Sequence, residues 1–232
     1  MLVVERKSVK TKKPVLLTGF QTPGLIGVTA ISQMINSLKM EEVAYLKSRF
    51  IPTTRLIVGL EFRTINHFRI YANPTGELLA LINDDPTGMM GLSSFFKDIG
   101  KTLMDWFHKR DVRSVISLGS YPTQKREERG LVAYSTDPER LEELTKFGVK
   151  SLQQGFVGGI IIGIIDECIE RGIPWLMLFA PVIKIGEVDI EGAMITIDIL
   201  NEMLGLNIET ESLRRAQASG EKKGFLSFLK RK

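Results

Sequence analysis

The sequence predicts an α/β protein, a three-layer domain in which a mixed, mostly parallel sheet is flanked by helices. Two observations support this prediction. Short apolar segments such as "PVLL" and "VISL" alternate with longer segments whose apolar residues recur at helical spacing, a pattern typical of buried strands and their covering helices. In the first third of the chain, strand candidates also follow one another directly, which indicates a mixed rather than a purely parallel sheet.

Periodicity defines the elements in the first half of the chain. Alternating apolar and polar residues over Val43–Ser48 indicate a half-buried strand, and the spacing of Ile99, Leu103 and Trp106 indicates a helix. The predicted strands are Val15–Leu17, Val43–Ser48, Leu56–Phe62, His67–Ala72 and Leu78–Ile82, and the predicted helices are Leu25–Leu38 and Leu92–Lys109.

Capping residues help to place the boundaries in the second half. Asp137 followed by Pro138 is typical of a helix start, and Gly205 is typical of a helix end. The other predicted elements are the strands Val112–Leu118, Leu131–Ser135 and Trp175–Phe179 and the helices Phe156–Glu170, Ile190–Leu204 and Glu209–Ala218.

The elements form a single predicted domain. The sequence contains no internal repeat and no linker long enough to mark a second domain. Residues 14–218 are therefore predicted to be one α/β domain, preceded by a basic extension at residues 1–13 and followed by a flexible basic and apolar tail at residues 219–232.

The positive charge of the chain is concentrated at its two ends. The first thirteen and the last twelve residues each hold five Lys or Arg and one Glu, whereas residues 14–220 hold 21 basic and 25 acidic residues. Because a nucleic-acid-binding domain usually carries its basic patch on the folded body, the pI of about 9.1 does not by itself indicate a nucleic-acid partner.

Composition predicts a soluble cytoplasmic protein. The N-terminus lacks the apolar core of a signal peptide, and the longest apolar stretch, residues 155–169, is too short to span a membrane. Cys168 is the only cysteine, so no disulfide can form within the chain.

The segment "TGFQTPGLIG", which begins at Thr18, has the strand-turn-helix layout of many phosphate-binding loops. Its glycines, Gly19, Gly24 and Gly27, follow neither the GxxxxGK[ST] nor the GxGxxG spacing, and no lysine lies within the segment. We interpret the segment as a fold-forming turn, in which Pro23 and Gly24 turn the chain and Gly27 lets the helix pack closely on the sheet.

Other candidate binding chemistry is weak. Asn83, Asp84 and Asp85 lie at a predicted strand end, where α/β proteins often bind ligands, but no further metal ligands are indicated and these residues are ordinary turn formers. The glycine cluster Gly155–Gly163 is surrounded by apolar residues, which favours close packing of a helix on the sheet or contact between subunits over phosphate binding. No metal or cofactor is predicted.

Nucleophilic catalysis is not indicated either. His67, His108 and Cys168 have no neighbouring catalytic motif, and the chain contains no GxSxG or HExxH sequence.

The C-terminal tail is the predicted partner-binding element. Large apolar residues in a mobile segment too short to bury them usually dock on another surface, and the adjacent basic residues would suit an acidic partner. A membrane surface is the alternative occupant, which the shortness of the segment disfavours. The apolar residues are Phe225, Leu226, Phe228 and Leu229, and the basic residues are Lys222, Lys223, Lys230, Arg231 and Lys232.

An ordered series of segments resembles the proteasome assembly chaperone family, specifically the archaeal homologues of its second subunit. The series begins with "PGLIG" and "LKMEEVAYLKSRFIP", continues with "FRIYANPTGELLALIND", "VISLGSYPTQKRE" and "ECIERGIPWLMLFAP", and ends with "DIEGAMITIDILNEMLGLNIETESL". The resemblance covers about Pro14–Leu213 and depends on the order of the segments rather than on one motif.

The resemblance implies a mixed α/β sheet, no catalytic residues and no cofactor. It implies action by contact on proteasome α-subunits or with a second chaperone-type protein, and self-association into a homo-oligomer. Some family members end in a hydrophobic–tyrosine–any-residue tripeptide that inserts between α-subunits. This chain departs from that pattern because it ends in Lys230, Arg231 and Lys232.

The sequence therefore predicts a non-enzymatic, chaperone-like assembly or adaptor protein. One alternative is a small-molecule-processing α/β enzyme with a cleft near Gly24, Asp84, Asp85 and the "GSYPTQKRE" loop. A further alternative is a protein that binds a membrane surface or nucleic acid through its two basic termini.

Overall fold

The structure is a computed structural model that describes residues 1–51, 54–58, 61–84, 93–127 and 130–218. Six α-helices occur in these residues, and a 3-10 turn precedes each of the first two. The α-helices are α1 (Ile26–Ser37), α2 (Phe96–His108), α3 (Pro138–Thr145), α4 (Ile160–Arg171), α5 (Ile190–Leu204) and α6 (Glu211–Ala218).

Eleven strands are found in the same residues. They are β1 (Leu2–Glu5), β2 (Val15–Gly19), β3 (Glu41–Lys47), β4 (Thr54–Val58), β5 (Glu61–Ile65), β6 (Arg69–Ala72), β7 (Leu78–Ile82), β8 (Ser114–Pro122), β9 (Val132–Tyr134), β10 (Lys150–Ser151) and β11 (Trp175–Val182). Nine of them form one sheet in the order β1-β3-β6-β7-β2-β8-β11-β9-β10, and β4 and β5 form a separate antiparallel pair.

Strand direction defines the two ends of the main sheet. β7, β2, β8 and β11 are parallel neighbours, and β3 runs in the same direction because it and β7 are both antiparallel to β6. We call the end where these five strands finish the carboxyl end of the sheet. β1, β6, β9 and β10 run the opposite way, which confirms the predicted mixed sheet.

Helices cover both faces of the sheet and create two apolar cores. α2 and α4 pack on the face that buries Leu16, Leu79 and Phe107, whereas α1 and α5 pack on the face that buries Leu17 and Ile197. Successive residues of β2 thus enter opposite cores, as the two-residue period of a strand requires. The predicted three-layer α/β architecture is confirmed.

Local sequence determines where the helices of the second half begin and end. Asp137 accepts a hydrogen bond from the backbone N–H of Arg140, 3.2 Å away, and so caps α3 as predicted. Gly172 and Gly205 end α4 and α5 in the left-handed conformation, with φ of 65° and 63°.

α2 and α4 contact each other through glycine. A Cβ added to Gly100 would lie 2.3 Å from the carbonyl oxygen of Gly163, and a Cβ added to Gly163 would lie 2.4 Å from that of Phe96. Gly163 therefore allows a close approach, but between two helices rather than between a helix and the sheet as predicted. Around Gly158, in contrast, no atom lies within 4 Å of an added Cβ.

The predicted strand Leu56–Phe62 is wrong, because the segment contains parts of two strands. β4 and β5 pair over five residues each, from Thr54 opposite Ile65 to Val58 opposite Glu61. The run "LIVGLEF" holds one glycine and no polar turn residue, so hydrophobic periodicity gave no sign of the chain reversal.

Two predicted starts also shift along the chain for backbone reasons. The strand predicted over His67–Ala72 begins at Arg69, because Phe68 has a φ of 50°. The helix predicted over Phe156–Glu170 begins at Ile160, because Gly159 has φ 82° and ψ −161°, outside the helical region.

The N-terminal segment, predicted as an extension, contributes a strand to the sheet. β1 pairs antiparallel with β3, with Leu2 opposite Lys47 and Glu5 opposite Ala44. Glu5 also accepts a hydrogen bond from the indole N–H of Trp106 at 3.1 Å, which ties the strand to α2.

Among the described helices, none has the length and apolarity needed to cross a membrane.

Candidate protein-interaction surface

The turn between β2 and α1 is held by backbone and side-chain contacts at the carboxyl end of the sheet. Gly24 has a φ of 73°. The hydroxyl of Ser120 donates to the carbonyl oxygen of Pro23 at 2.6 Å, and the backbone N–H of Asp189 donates to that of Gly24 at 2.8 Å. A Cβ at Gly24 would lie 2.7 Å from a methyl carbon of Val182, so this turn is filled by the protein itself.

Gly27 performs the predicted packing role. A Cβ added to Gly27 would lie 2.8 Å from the carbonyl oxygen of Leu118 in β8. α1 therefore approaches the sheet more closely than a larger residue would allow, and the interpretation of "PGLIG" as a fold-forming turn is confirmed.

Arg126 joins the loop after β8 to the loop after β11. Its guanidinium is ion-paired with Asp189, donates to Glu191 at 2.5 Å and donates to the carbonyl oxygen of Pro181 at 3.0 Å. Asp189 also caps α5, since its carboxylate accepts from the backbone N–H of Gly192 at 2.8 Å. The side chain of Arg126 is 9% exposed, so these contacts hold the two loops in one arrangement.

Asp84, named for a metal or enzyme site, is ion-paired with Arg69. Both side chains are largely buried, and the hydroxyl of Tyr71 also accepts from Arg69 at 2.9 Å. Burial lowers the pKa of Arg69, but the nearby Asp84 and Tyr71 outweigh it, so the pKa of Arg69 lies above its ordinary value. Burial raises the pKa of Tyr71 to about 12. The group is a charge-paired structural cluster, and Asp85 lies outside the described residues.

The remaining reactive side chains are dispersed. Cys168 is fully buried in α4, and burial raises the pKa of its thiol to about 12. His67 is buried beside β6, whereas His108 is exposed as the last residue of α2. In the part of the chain that the structure describes, no three His, Cys, Asp or Glu side chains are grouped to hold a metal ion.

Exposed apolar side chains cluster at the carboxyl end of the sheet. Of the nine large apolar side chains exposed among the described residues, six lie there by the strand directions given above. A seventh, Phe156, lies just before the N-terminus of α4, whose C-terminus leads into the start of β11 at the opposite end of the sheet. We call these seven the carboxyl-end surface: Met1, Leu2, Phe50, Ile57, Phe156, Ile183 and Ile185. Exposed large apolar residues that are grouped at one end of a folded protein are candidates for an interaction site.

The residues of the carboxyl-end surface come from the N-terminus and from the connections β3–β6, β10–α4 and β11–α5. Phe50 follows β3 and stacks on Phe95 with ring centroids 4.5 Å apart. Phe156 is fully exposed just before α4, and Ile183 and Ile185, 50% and 68% exposed, follow β11. The two exposed residues outside the surface are Tyr134, which ends β9, and Ile169, near the C-terminus of α4.

The sequence prediction did not find this surface. It named the tail residues Phe225, Leu226, Phe228, Leu229, Lys230, Arg231 and Lys232, which lie outside the described residues together with Lys222 and Lys223. A signal was present, because "SRFIP", "GFVGG" and "VIKIGE" each place a large apolar residue in a connection rather than in a periodic element.

Comparison with known proteins identifies relatives along almost the whole chain. Residues 16–223 match the PAC2 family. The chain is 26% identical over 227 residues to an uncharacterised protein of Methanocaldococcus jannaschii, covering 96% of this chain and 89% of that protein.

Two solved structures from Pyrococcus furiosus share the fold. PbaA, an archaeal homologue of proteasome-assembly chaperone, superimposes with a TM-score of 0.80 at 23% identity, covering 98% of this chain and 96% of PbaA. PbaB, an archaeal proteasome activator, superimposes with a TM-score of 0.79 at 20% identity, covering 99% and 98%. With the family match over residues 16–223, these findings confirm the resemblance seen in the sequence: the protein belongs to the PAC2 family.

Proposed function

We propose that the protein is a non-enzymatic, cytoplasmic assembly chaperone that acts by protein contact as a homo-oligomer, with proteasome α-subunits as its client. The observation that supports action by contact is the carboxyl-end surface, where Phe156 and Ile183 are among seven exposed apolar side chains. The choice of client is supported by fold and family, because PbaA is a homologue of proteasome-assembly chaperone and PbaB is a proteasome activator.

Burial of the carboxyl-end surface would supply much of the binding free energy. Covering one exposed Ile or Phe side chain fully is worth about 1.5–3 kcal/mol. The loop that carries Ile183 and Ile185 is held at both ends by contacts of Arg126 and Asp189, so little conformational entropy of this loop is lost on binding.

The tail is proposed as a second contact. Residues 221–232 hold four large apolar residues and five basic residues, a composition that suits an apolar groove bordered by acids on the client.

Native mass spectrometry of the full chain, alone and mixed with proteasome α-subunits of the same source, tests this function. We expect a complex that contains both proteins, and weaker binding of α-subunits after deletion of residues 221–232 or substitution Phe156→Ser. For Phe156→Ser, the association constant is expected to fall by about tenfold or more.

Ile169→Ser is the matched control, because Ile169 is 58% exposed at the opposite end of the molecule. This variant is expected to bind α-subunits like the wild type. If the wild-type protein binds no α-subunit, the proposed client is wrong. If the deletion and Phe156→Ser bind as tightly as the wild type, the proposed contact surfaces are wrong.

A further inference from the structure

The segment between β1 and β2 is folded onto the body of the protein. The hydroxyl of Thr11 donates a hydrogen bond to the carbonyl oxygen of Arg110 at 3.0 Å. The backbone N–H of Arg113 donates to the carbonyl oxygen of Pro14 at 3.0 Å. Because β2 and β8 begin directly after Pro14 and Arg113, both bonds lie at the end of the sheet opposite the carboxyl end, which we call the amino end.

The two segments that meet at the amino end are rich in basic residues. Residues 6–13 and 109–113 hold eight Lys or Arg and one Asp. Three of the eight are in ion pairs, which are Arg6 with Glu42, Lys7 with Glu41 and Arg110 with Glu5. The other five are exposed, and none of them is in an ion pair with a described residue. We call these five the amino-end basic patch: Lys10, Lys12, Lys13, Lys109 and Arg113.

The amino-end basic patch keeps most of its positive charge. Two exposed acids are close to it along the chain, Asp111 between two of its members and Glu77 directly after Gly76. The carbonyl oxygen of Gly76 accepts a hydrogen bond from the backbone N–H of Lys12 at 2.8 Å. The five cations and these two carboxylates together carry a net charge of +3. Residues 14–220 hold 21 basic and 25 acidic residues, so the positive field is local to this end.

The backbone beneath the patch is fixed before any partner binds. A Cβ added to Gly76 would lie 2.1 Å from the carbonyl oxygen of Lys10, so the segment packs tightly on the turn before β7. Each member of the patch either takes part in one of these hydrogen bonds or is adjacent along the chain to a residue that does. The backbone positions of the five cations are therefore held relative to one another, and little backbone entropy is lost on binding.

A nucleic acid suits the patch better than a protein does. The cores of protein–protein interfaces are depleted of charged residues, including lysine, whereas protein–DNA interfaces are polar and strongly positive. Four of the five members are lysines, and residues 6–13 and 109–113 contain no aromatic residue. We propose that the amino-end basic patch binds the phosphate backbone of nucleic acid. Because phosphate contacts carry no sequence information and the patch offers no ring for base stacking, this binding is independent of sequence.

The basic N-terminal segment belongs to the folded body rather than to an extension. The hydrogen bonds of Thr11 and Lys12 place the patch where nucleic-acid-binding domains usually carry their charge. The patch lies at the end of the protein opposite the carboxyl-end surface, so a client and a nucleic acid would bind without competing. This inference goes beyond the proposed function and does not depend on it.

Fluorescence anisotropy of a labelled DNA duplex, titrated with the full chain at several NaCl concentrations, tests the proposal. The wild type is compared with a variant that carries Lys10→Gln, Lys12→Gln and Lys13→Gln. Each phosphate contact contributes about 0.9 to the slope of log K against log[salt], so loss of three contacts is expected to reduce the slope by about 2.7. The association constant at about 0.1 M salt is expected to fall by about tenfold or more.

A second triple variant controls for net charge. Lys47, Lys125 and Lys184 are exposed at the carboxyl end, and their replacement by Gln removes the same three charges. This variant is expected to bind the duplex with a slope that differs from the wild type by less than about 0.9. Circular dichroism identifies a failure to fold, and a variant with Lys109→Gln and Arg113→Gln then replaces the triple variant of the patch.

Several results would overturn the proposal. They are a duplex that stays unbound at about 0.05 M salt with about 100 μM protein, equal losses for the two triple variants, and binding that is lost only when residues 221–232 are deleted. The last result would assign the binding to the tail. Vesicles containing phosphatidylserine and a polyglutamate peptide are titrated in the same way. If either binds through the three lysines more tightly than the duplex does, the partner is a membrane or an acidic protein instead.

Discussion

Substitution of Gly100 by Ala tests whether the contact between α2 and α4 limits the stability of the fold. The added Cβ would lie 2.3 Å from the carbonyl oxygen, 2.4 Å from the carbonyl carbon and 2.9 Å from the Cα of Gly163. All three are backbone atoms, so no side-chain rotation relieves the overlap. Ordinary contact begins at 3.4 Å, which requires the helices to separate by about 1 Å.

The expected cost follows from two opposing effects. Overpacking of a core costs about 1–3 kcal/mol, and the backbone clash favours the upper value. The higher helix propensity of Ala stabilises the helix by about 1 kcal/mol and so offsets part of this cost. We therefore expect Gly100→Ala to lower the free energy of unfolding by about 2 kcal/mol, or roughly 30-fold in the unfolding equilibrium.

Urea unfolding monitored by tryptophan fluorescence measures this change. Trp106 and Trp175 both lie in the core on the α2 and α4 face, so the signal reports on the affected layer. Protein concentration is held constant, because self-association would otherwise shift the midpoint. Gly158→Ala, with no atom within 4 Å of the added Cβ, is expected to stay within about 0.5 kcal/mol of the wild type. An unchanged midpoint for Gly100→Ala would refute the argument.

Two further predictions concern charge and ionisation. Arg126→Ala leaves Asp189 without its buried partner and is expected to lower the free energy of unfolding by about 3 kcal/mol, measured by urea unfolding. Lys184→Ala breaks an exposed ion pair in which Lys184 lies 3.8 Å from Glu187, and it is expected to change the free energy of unfolding by less than about 0.5 kcal/mol. If the two substitutions changed the free energy of unfolding equally, the stabilising role of Arg126 would be contradicted. Because burial raises the pKa of Cys168 from 9.0 to about 12, iodoacetamide is expected to label this thiol only after unfolding, and rapid labelling of the native protein would show otherwise. Because the thiol ionises near pH 9 in the unfolded chain and only near pH 12 in the folded protein, its contribution to the free energy of unfolding is fully present below pH 9 and is lost as the pH rises toward 12. The substitution Cys168→Ala is expected to make this decline smaller.

Most of the fold could be predicted because its core strands are simple. Every residue of β2, β7 and β11 is buried. β7 and β11 appear in the sequence as uninterrupted apolar runs, and β2 appears as three apolar residues followed by Thr18 and Gly19. β1 could not be recognised, because it is a four-residue edge strand with no fully buried residue, whose neighbour is defined only by the tertiary fold.

The candidate surface was harder to predict than the fold. Phe50, Phe156 and Ile185 are separated by up to 135 positions in the sequence and come to one end of the molecule through strand direction. Periodicity describes residues within an element and does not indicate which connections lie at the same end of a sheet. The glycine turn was easier, because the spacing of Gly19, Gly24 and Gly27 excluded a phosphate loop from the sequence alone.

The central position of β2 has a consequence for synthesis on the ribosome. Thr18 of β2 is hydrogen-bonded to Ser117 of β8, 99 residues later. At about 5–20 residues per second, the ribosome needs roughly 5–20 s to add the residues between them. During this interval the backbone edge of β2 that pairs with β8 has no native neighbour, and β11, which pairs with β8 on its other side, is made later still. We therefore expect the nascent chain to expose unpaired strand residues during this interval, which makes it a candidate for binding by general chaperones.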